Sequence, residues 1–233
     1  MILHARQTVP RILVFAGLDP TGGAGLQADI EALSSMGCHS CPVMTANTVQ
    51  DTHNASRFEP CEPELLREQV HALLADFTPD AVKIGMLAGT RSAHFVNDVL
   101  AELPHMPVVL DPVLAAGGGT SLGAADLSKA IHSLLPRLSL ITPNQAEAER
   151  LTGLAEPDQQ AKALCDGGCD HVLITGGDAS TEQVINRLYT ADGLVNEYSW
   201  ERLPGHFHGT GCTLAAATTG LLAQGESLED AVF

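Results

Sequence analysis

The chain has 233 residues, with 12 basic against 28 acidic side chains, giving a formal net charge of −16 and a pI near 4.8. Hydrophobic residues make up 45% and charged ones only 17%, a balance that excludes intrinsic disorder, which requires low hydrophobicity as well as high charge. The acidity argues against a nucleic-acid partner, because no basic patch is present to release counterions from phosphates. A nucleotide remains admissible where a metal ion and backbone dipoles carry the positive charge.

The first ten residues, MILHARQTVP, hold no apolar core of a signal peptide, and no window reaches the ~20 apolar residues of a membrane span. The expectation is a cytoplasmic protein without a membrane partner. RILVFAG (11–17) reads as a buried parallel strand ending in glycine. A glycine-rich turn leads to a helix over 26–37, with Leu26, Ile30 and Leu33 at helical spacing and Gly37 as its stop. Strand CPVMTAN (41–47) and a helix over 63–77 follow, with Leu65, Val70, Leu73 and Leu74 on the expected apolar side. The alternation continues with strand 81–86, helix 90–103, strand 107–113, helix 123–135, strand 138–144, a short helix over 145–153 and strand 171–177. Repeated βαβ units predict a mainly parallel sheet covered on both faces. Residues 184–200 predict a β-hairpin around Asp192-Gly193, then come a small-residue helix over 213–225 and the start of another at 227–233.

No linker, repeat or low-complexity segment divides the chain, so residues 1–233 read as one α/β domain. Seven residues form a marginal last helix, and the expectation is that one or more C-terminal helices follow Phe233. The six cysteines at 38, 41, 61, 165, 169 and 212 permit a zinc site by the spacing of Cys38–Cys41 and Cys165–Cys169. Those pairs flank apolar strands or a Gly-Gly turn, which favours reduced thiols.

In open α/β sheets, ligands gather beyond the carboxyl ends of the strands, and four polar signatures fall there. The turn Gly17-Leu18-Asp19-Pro20-Thr21-Gly22-Gly23-Ala24-Gly25 lacks the Lys and Ser/Thr of a P-loop. It matches a dinucleotide fingerprint only weakly, and Asp19 is either a crevice-facing group or a helix cap. Asp111 follows VVL, and Asn144 and Glu147 sit one helical turn apart after LSLITP. Gly209-Thr210-Gly211-Cys212 opens the small-residue helix. Two glycines at a helix N-terminus free backbone N–H groups for an anion, such as the charge on a transferred phosphoryl group. In that first turn the Cys212 thiol pKa is expected to fall. Asp and Glu are hard oxygen ligands suited to Mg2+.

The stretches AGLDPTGGAGLQADI, TANTVQDT, VKIGML, LDPV, LITPNQAEAERLTG and HGTGCTLAAA together resemble the ribokinase superfamily. They are most similar to the hydroxymethylpyrimidine/phosphomethylpyrimidine kinases of thiamine biosynthesis. The resemblance runs from about residue 11 to 225. It implies a three-layer αβα sandwich, a homodimer, and ATP- and Mg2+-dependent phosphorylation of 4-amino-5-hydroxymethyl-2-methylpyrimidine and then of its monophosphate. By motif it implies that Gln50 hydrogen-bonds the aminopyrimidine edge and that Gly17, Ala24, Thr48, Met86 and Val113 line its pocket. Asp19 and Asp111 are implied near the hydroxymethyl and phosphate groups, with Asp111 and Glu147 serving Mg2+. Asn144, Thr175 and Gly177 are implied at the nucleotide phosphates. Gly209, Thr210 and Gly211 are implied as the anion hole, and Cys212 as the base.

Many relatives have Lys in VLxKGG where this chain has Thr175, and a small apolar residue at Thr48. The Thr175 departure shifts phosphate neutralisation to Mg2+, the anion hole and Lys83 or His208. The same superfamily contains pyridoxal kinases, an alternative substrate class, and a non-catalytic pyrimidine-binding sensor is the alternative outside enzymes. Glycines in 115–121 suit a lid.

Overall fold

Alternation within the first strand sets the architecture. In β1 (Arg11–Leu18), Leu13 and Phe15 enter the core on one face, while Ile12, Val14 and Ala16 enter it on the other. That is the mark of a strand covered on both sides. The computed structural model describes residues 9–103, 105–116, 120–121, 124–179, 181–205 and 207–233.

After β1 come α1 (Gly25–Ser35), β2 (His39–Gln50), β3 (Ala55–Pro60), α2 (Pro63–Asp76), β4 (Ala81–Ile84) and α3 (Thr90–Glu102). The middle of the chain forms β5 (Val108–Leu110), β6 (Ala115–Ala116), β7 (Thr120–Ser121), α4 (Ala124–His132), β8 (Leu140–Ile141) and α5 (Gln145–Thr152). The last part forms α6 (Pro157–Asp166), β9 (Val172–Ile174), β10 (Gln183–Thr190), β11 (Gly193–Glu201), α7 (Thr210–Ala223) and α8 (Leu228–Ala231).

One nine-stranded sheet runs β11-β10-β9-β8-β5-β4-β1-β2-β3. Its centre, from β9 to β2, is parallel, and β3, β10 and β11 are antiparallel additions at the two edges. Helices α2 to α6 pack on the face that carries Phe15, Leu110 and Ile174. Helices α1 and α7 and the residues around α8 cover the opposite face, with Val14, Val109 and Leu173. The result is the expected three-layer αβα sandwich. Chain order reverses direction between β1 and β4, so the carboxyl ends of these strands open a crevice.

Several local expectations change. In α2 the core residue is Leu66, fully buried, while Leu65 is 50% exposed. Leu66 lies four residues from Val70, whereas Leu65 lies five away and so well round the helix. β3 and α6 add to the elements read from the sequence, because ASRFEP and PDQQAKALCD carry few apolar residues. In the hairpin, Thr190 pairs with Gly193, so Ala191-Asp192 form the loop and Gly193 follows it with φ +119°. Of the expected lid, the ends pair as β6 and β7, and residues 117–119 lie outside the described residues. All six cysteines are free thiols.

Candidate active site

The loop after β1 is knitted by one carboxylate. Asp19 Oδ1 accepts from Thr21 N at 2.8 Å, and its Oδ2 accepts from Ala24 N at 2.9 Å and Thr21 Oγ1 at 3.0 Å. Oδ2 also meets His208 Nε2, at 3.0 Å, from the loop before α7. Burial works to raise the Asp19 pKa, but hydrogen bonds from Gln50, Thr21 and His208 outweigh it and hold the carboxyl below its ordinary value. The N-cap of α1 is Ala24, with no side-chain cap, so Asp19 organises the whole turn rather than one helix end.

Two glycines let backbones approach closely. A Cβ on Gly25, at φ +58°, would lie 2.3 Å from Gly17 O. One on Gly209, at φ +83°, would lie 1.8 Å from Gly23 O. Both residues therefore need the conformational freedom of glycine, and the N-terminus of α7 is pressed onto the Asp19 loop.

The other strand ends complete the wall. Asp111, just past β5, is buried; its N–H donates to Ile84 O at 2.8 Å. Asn144 caps α5 in a reciprocal capping box: its Oδ1 accepts from Glu147 N at 2.8 Å, and Glu147 Oε2 accepts from Asn144 N at 3.0 Å. The Asn-x-x-Glu spacing is that of a capping box, which accounts for the shared face expected of the two residues. Asn144 Nδ2 also donates to Asp178 Oδ2 at 2.7 Å. Thr175 bridges to Asn144 through backbone, its N–H on Pro143 O at 2.9 Å. Arg202 steadies the neighbouring turn by donating to Gly177 O at 2.6 Å and Gly176 O at 2.9 Å.

These groups surround one cavity of about 310 Å³. Its wall brings together every residue picked from the sequence: Gly17, Asp19, Ala24, Thr48, Gln50, Met86, Asp111, Val113, Asn144, Glu147, Thr175, Gly177 and Gly209 to Cys212. The placement of some shows why they are there. Thr48 Oγ1 donates to Leu18 O at 2.8 Å, fastening β2 to the end of β1. Met86 Sδ would touch a Cβ on Gly17 at 3.0 Å, and the Met86 carbonyl accepts from the Thr45 hydroxyl. α7 begins at Thr210 with no side-chain cap, so its first N–H groups are the orphan donors of a helix start. Gly211 faces Asp111: its ideal Cβ position is 3.9 Å from Asp111 Oδ1.

Electrostatics correct one expectation. The Cys212 thiol is not lowered by its helix position; burial pushes it well above its ordinary value, the Asp111 carboxylate adds to this, and Lys83 opposes it. The thiol also hydrogen-bonds Asp111. Desolvation in the enclosed wall outweighs the dipole of one helix turn. Glu147 is raised likewise, by burial first and then by the Asp111 charge, against backbone hydrogen bonds from Asn144 and Leu114.

Sequence reasoning missed Asp29, Asp178 and Phe207. The last two line the cavity with Lys83, and Asp178 stood in the sequence directly after the Gly176-Gly177 turn. Asp29 lies on α1 and meets Lys83 across 54 residues, with Nζ 2.8 Å from Oδ1 and 2.9 Å from Oδ2. No local pattern announces that pair.

The family model described as phosphomethylpyrimidine kinase matches residues 19–233. The chain is 38% identical to the hydroxymethylpyrimidine/phosphomethylpyrimidine kinase of Haemophilus influenzae, over 96% of this chain and 87% of that protein. It is 35% identical to the thiamine biosynthesis bifunctional protein of Geobacter sulfurreducens, spanning all of this chain but 49% of that longer protein. Among solved structures, the pyridoxal kinase from Staphylococcus aureus in complex with ADP superposes with a TM-score of 0.87 at 29% identity, covering 97% of this chain and 84% of that one.

Proposed function

Since this chain belongs to the phosphomethylpyrimidine kinase family, a family of phosphotransferases in thiamine biosynthesis, we propose that it moves the γ-phosphoryl group of ATP to the hydroxymethyl oxygen of 4-amino-5-hydroxymethyl-2-methylpyrimidine. The monophosphate is then the acceptor of a second transfer in the same cavity. The observation that carries this reading is the meeting of Asp111, just past β5, and Glu147, in the first turn of α5, with the glycine-flanked N-terminus of α7 on one wall. Phosphoryl transfer asks mainly for positioning and charge neutralisation, and this wall offers both.

The residues fit a divalent cation. Asp111 and Glu147 are hard oxygen donors, and their mutual repulsion, with burial, raises Glu147; a positive charge relieves it. These two carboxylates stand on one wall, and Mg2+ takes one or two carboxylates and keeps several waters. We assign Asp111 and Glu147 to hold it, and when bound it supplies charge neutralisation at the phosphates.

The amides of Gly209, Thr210 and Gly211 receive the phosphoryl oxygens, Asn144, Thr175 and Gly177 face the nucleotide phosphates, and Gln50 orients the aminopyrimidine edge. Asp19 fixes the turn that bears Ala24 and brings His208 to the same wall. In this reading Cys212 takes the proton of the substrate hydroxyl. Its raised pKa favours a second reading, in which Cys212 packs against Asp111 and the proton leaves on the phosphoryl oxygens. Cys212→Ala separates them: a base role lowers kcat by about 10²–10⁴-fold, and near wild-type kcat overturns it.

The reading includes a cytoplasmic homodimer, supported by the six free thiols and by the exposed apolar side chains of Leu18, on the cavity wall, and Val49, on β2. Sedimentation of the purified protein tests the dimer. Incubation with Mg-ATP and the pyrimidine, following ADP, tests the activity. Pyrimidine-dependent ADP is expected. Thermal stabilisation by pyrimidine without turnover is the result of a binding-only protein and overturns the kinase reading. A higher kcat/KM for pyridoxal in a parallel assay overturns the substrate assignment.

A further inference from the structure

We propose that the buried Lys83–Asp29 pair is a fixed charge beneath the reaction centre, and that Lys83 is a positioning residue for Asp111 and Cys212. This rests on the kinase reading above and adds to it a buried ion pair that joins α1 to β4.

Both side chains are wholly shielded from solvent. Lys83 stands between Val82 and Ile84 in β4, one of the central strands, where an apolar residue would complete the core. Taking two charges out of water is costly, and buried ion pairs are often replaced by apolar residues of similar volume without loss of stability. Folding alone therefore gives a weak reason for the pair.

Its location gives a stronger one. β4 ends at the cavity, and the ammonium folds forward along the strand: a Cβ placed on Gly85 would sit 2.9 Å from Nζ. Lys83 and Gly85 both form part of the cavity wall. Asp29, on α1, straddles the ammonium with both oxygens, at 2.8 and 2.9 Å, and so anchors it. Burial works to deprotonate Lys83, but the charges of Asp29 and Asp111 and the hydrogen bond to Asp29 outweigh it and hold the ammonium protonated.

The chain needs such a cation. Asp111, Glu147 and Asp178 crowd one wall of a protein with net charge −16. A positive charge that cannot move attracts the Asp111 carboxylate on the same wall. It also offsets negative charge that develops on Cys212 or the substrate oxygen, at no reorganisation cost during the reaction.

The test replaces both charges at once, as Lys83→Met with Asp29→Leu, so that neither is left buried alone. The expected double variant keeps a Tm within about 4 °C of wild type and KM values for ATP and pyrimidine within about threefold, while kcat falls about 100-fold. A purely structural pair predicts unchanged kcat in a folded double variant, and that result overturns the proposal. Should the double variant fail to fold, Gly85→Ala decides, because its methyl group displaces Nζ without removing the charge. A fall in kcat with KM retained supports the proposal, and wild-type kcat overturns it. Wild-type protein without turnover overturns the kinase reading and this proposal with it. An active wild type with an equally active double variant overturns the proposal alone.

Discussion

At the scale of single residues, the site depends on atoms that must be absent as much as on those present. Gly209 combines φ +83° with a Cβ position 1.8 Å from Gly23 O. Gly209→Ala is therefore expected to cost at least ~2 kcal/mol through backbone strain and collision, lowering Tm by about 4–8 °C for a chain of this size. Calorimetry checks the stability, and kcat/KM should fall with it because the anion-binding amides shift. Asp19 makes a pH prediction. Its folded pKa lies below the ordinary value, so in acid the unfolded chain takes up the proton first. The stability it contributes is present above the unfolded pKa of about 4 and is lost as pH falls through the lower folded value. Acid titrations of wild type and Asp19→Asn should show a shallower loss of stability below about pH 4 in the variant; parallel curves contradict the assignment. Asp19, Asp111 and Glu147 were legible because each follows a readable strand. Asp29 was not, since its partner lies on another element and its own helix reads as ordinary.

At the scale of elements, the phase of a helix decides which of two adjacent leucines matters. Leu66 is fully buried and Leu65 is half exposed on α2. Leu66→Ala should cost about 2–5 kcal/mol, and Leu65→Ala within about 0.5 kcal/mol; denaturant melts of the two variants measure the contrast. The long parallel strands and amphipathic helices could be read from periodicity alone. β3 and α6 could not, because an edge strand and a helix with one buried stripe carry too few apolar residues to stand out. Small residues in α7 take their meaning from a neighbour: a Cβ on Gly220 would meet Cys38, Leu33 and Met36 at 3.3 Å, so this helix lies close on the end of α1.

At the scale of the whole molecule, charge and topology meet at the crevice between β1 and β4. The net charge is −16, and just past β9 stands the neutral Thr175, where the family resemblance implies a lysine. Thr175→Lys should lower KM for ATP on the order of tenfold, the worth of one charge-assisted hydrogen bond to phosphate. An unchanged KM would mean that the α7 amides and the bound metal already neutralise the phosphates. The structural likeness to a pyridoxal kinase and the sequence likeness to pyrimidine kinases agree on this scaffold, and the substrate is a matter for the few residues on the cavity wall. By itself the sequence determined the α/β alternation, the strand-end positions that line the cavity and the family, since strand periodicity and short glycine-rich motifs are local properties of a chain. Only the tertiary structure decided the protonation of Cys212, the staple from Asp19 to His208 and the Lys83–Asp29 pair. Burial and distance set those energies, and both arise only when segments far apart in sequence are packed together.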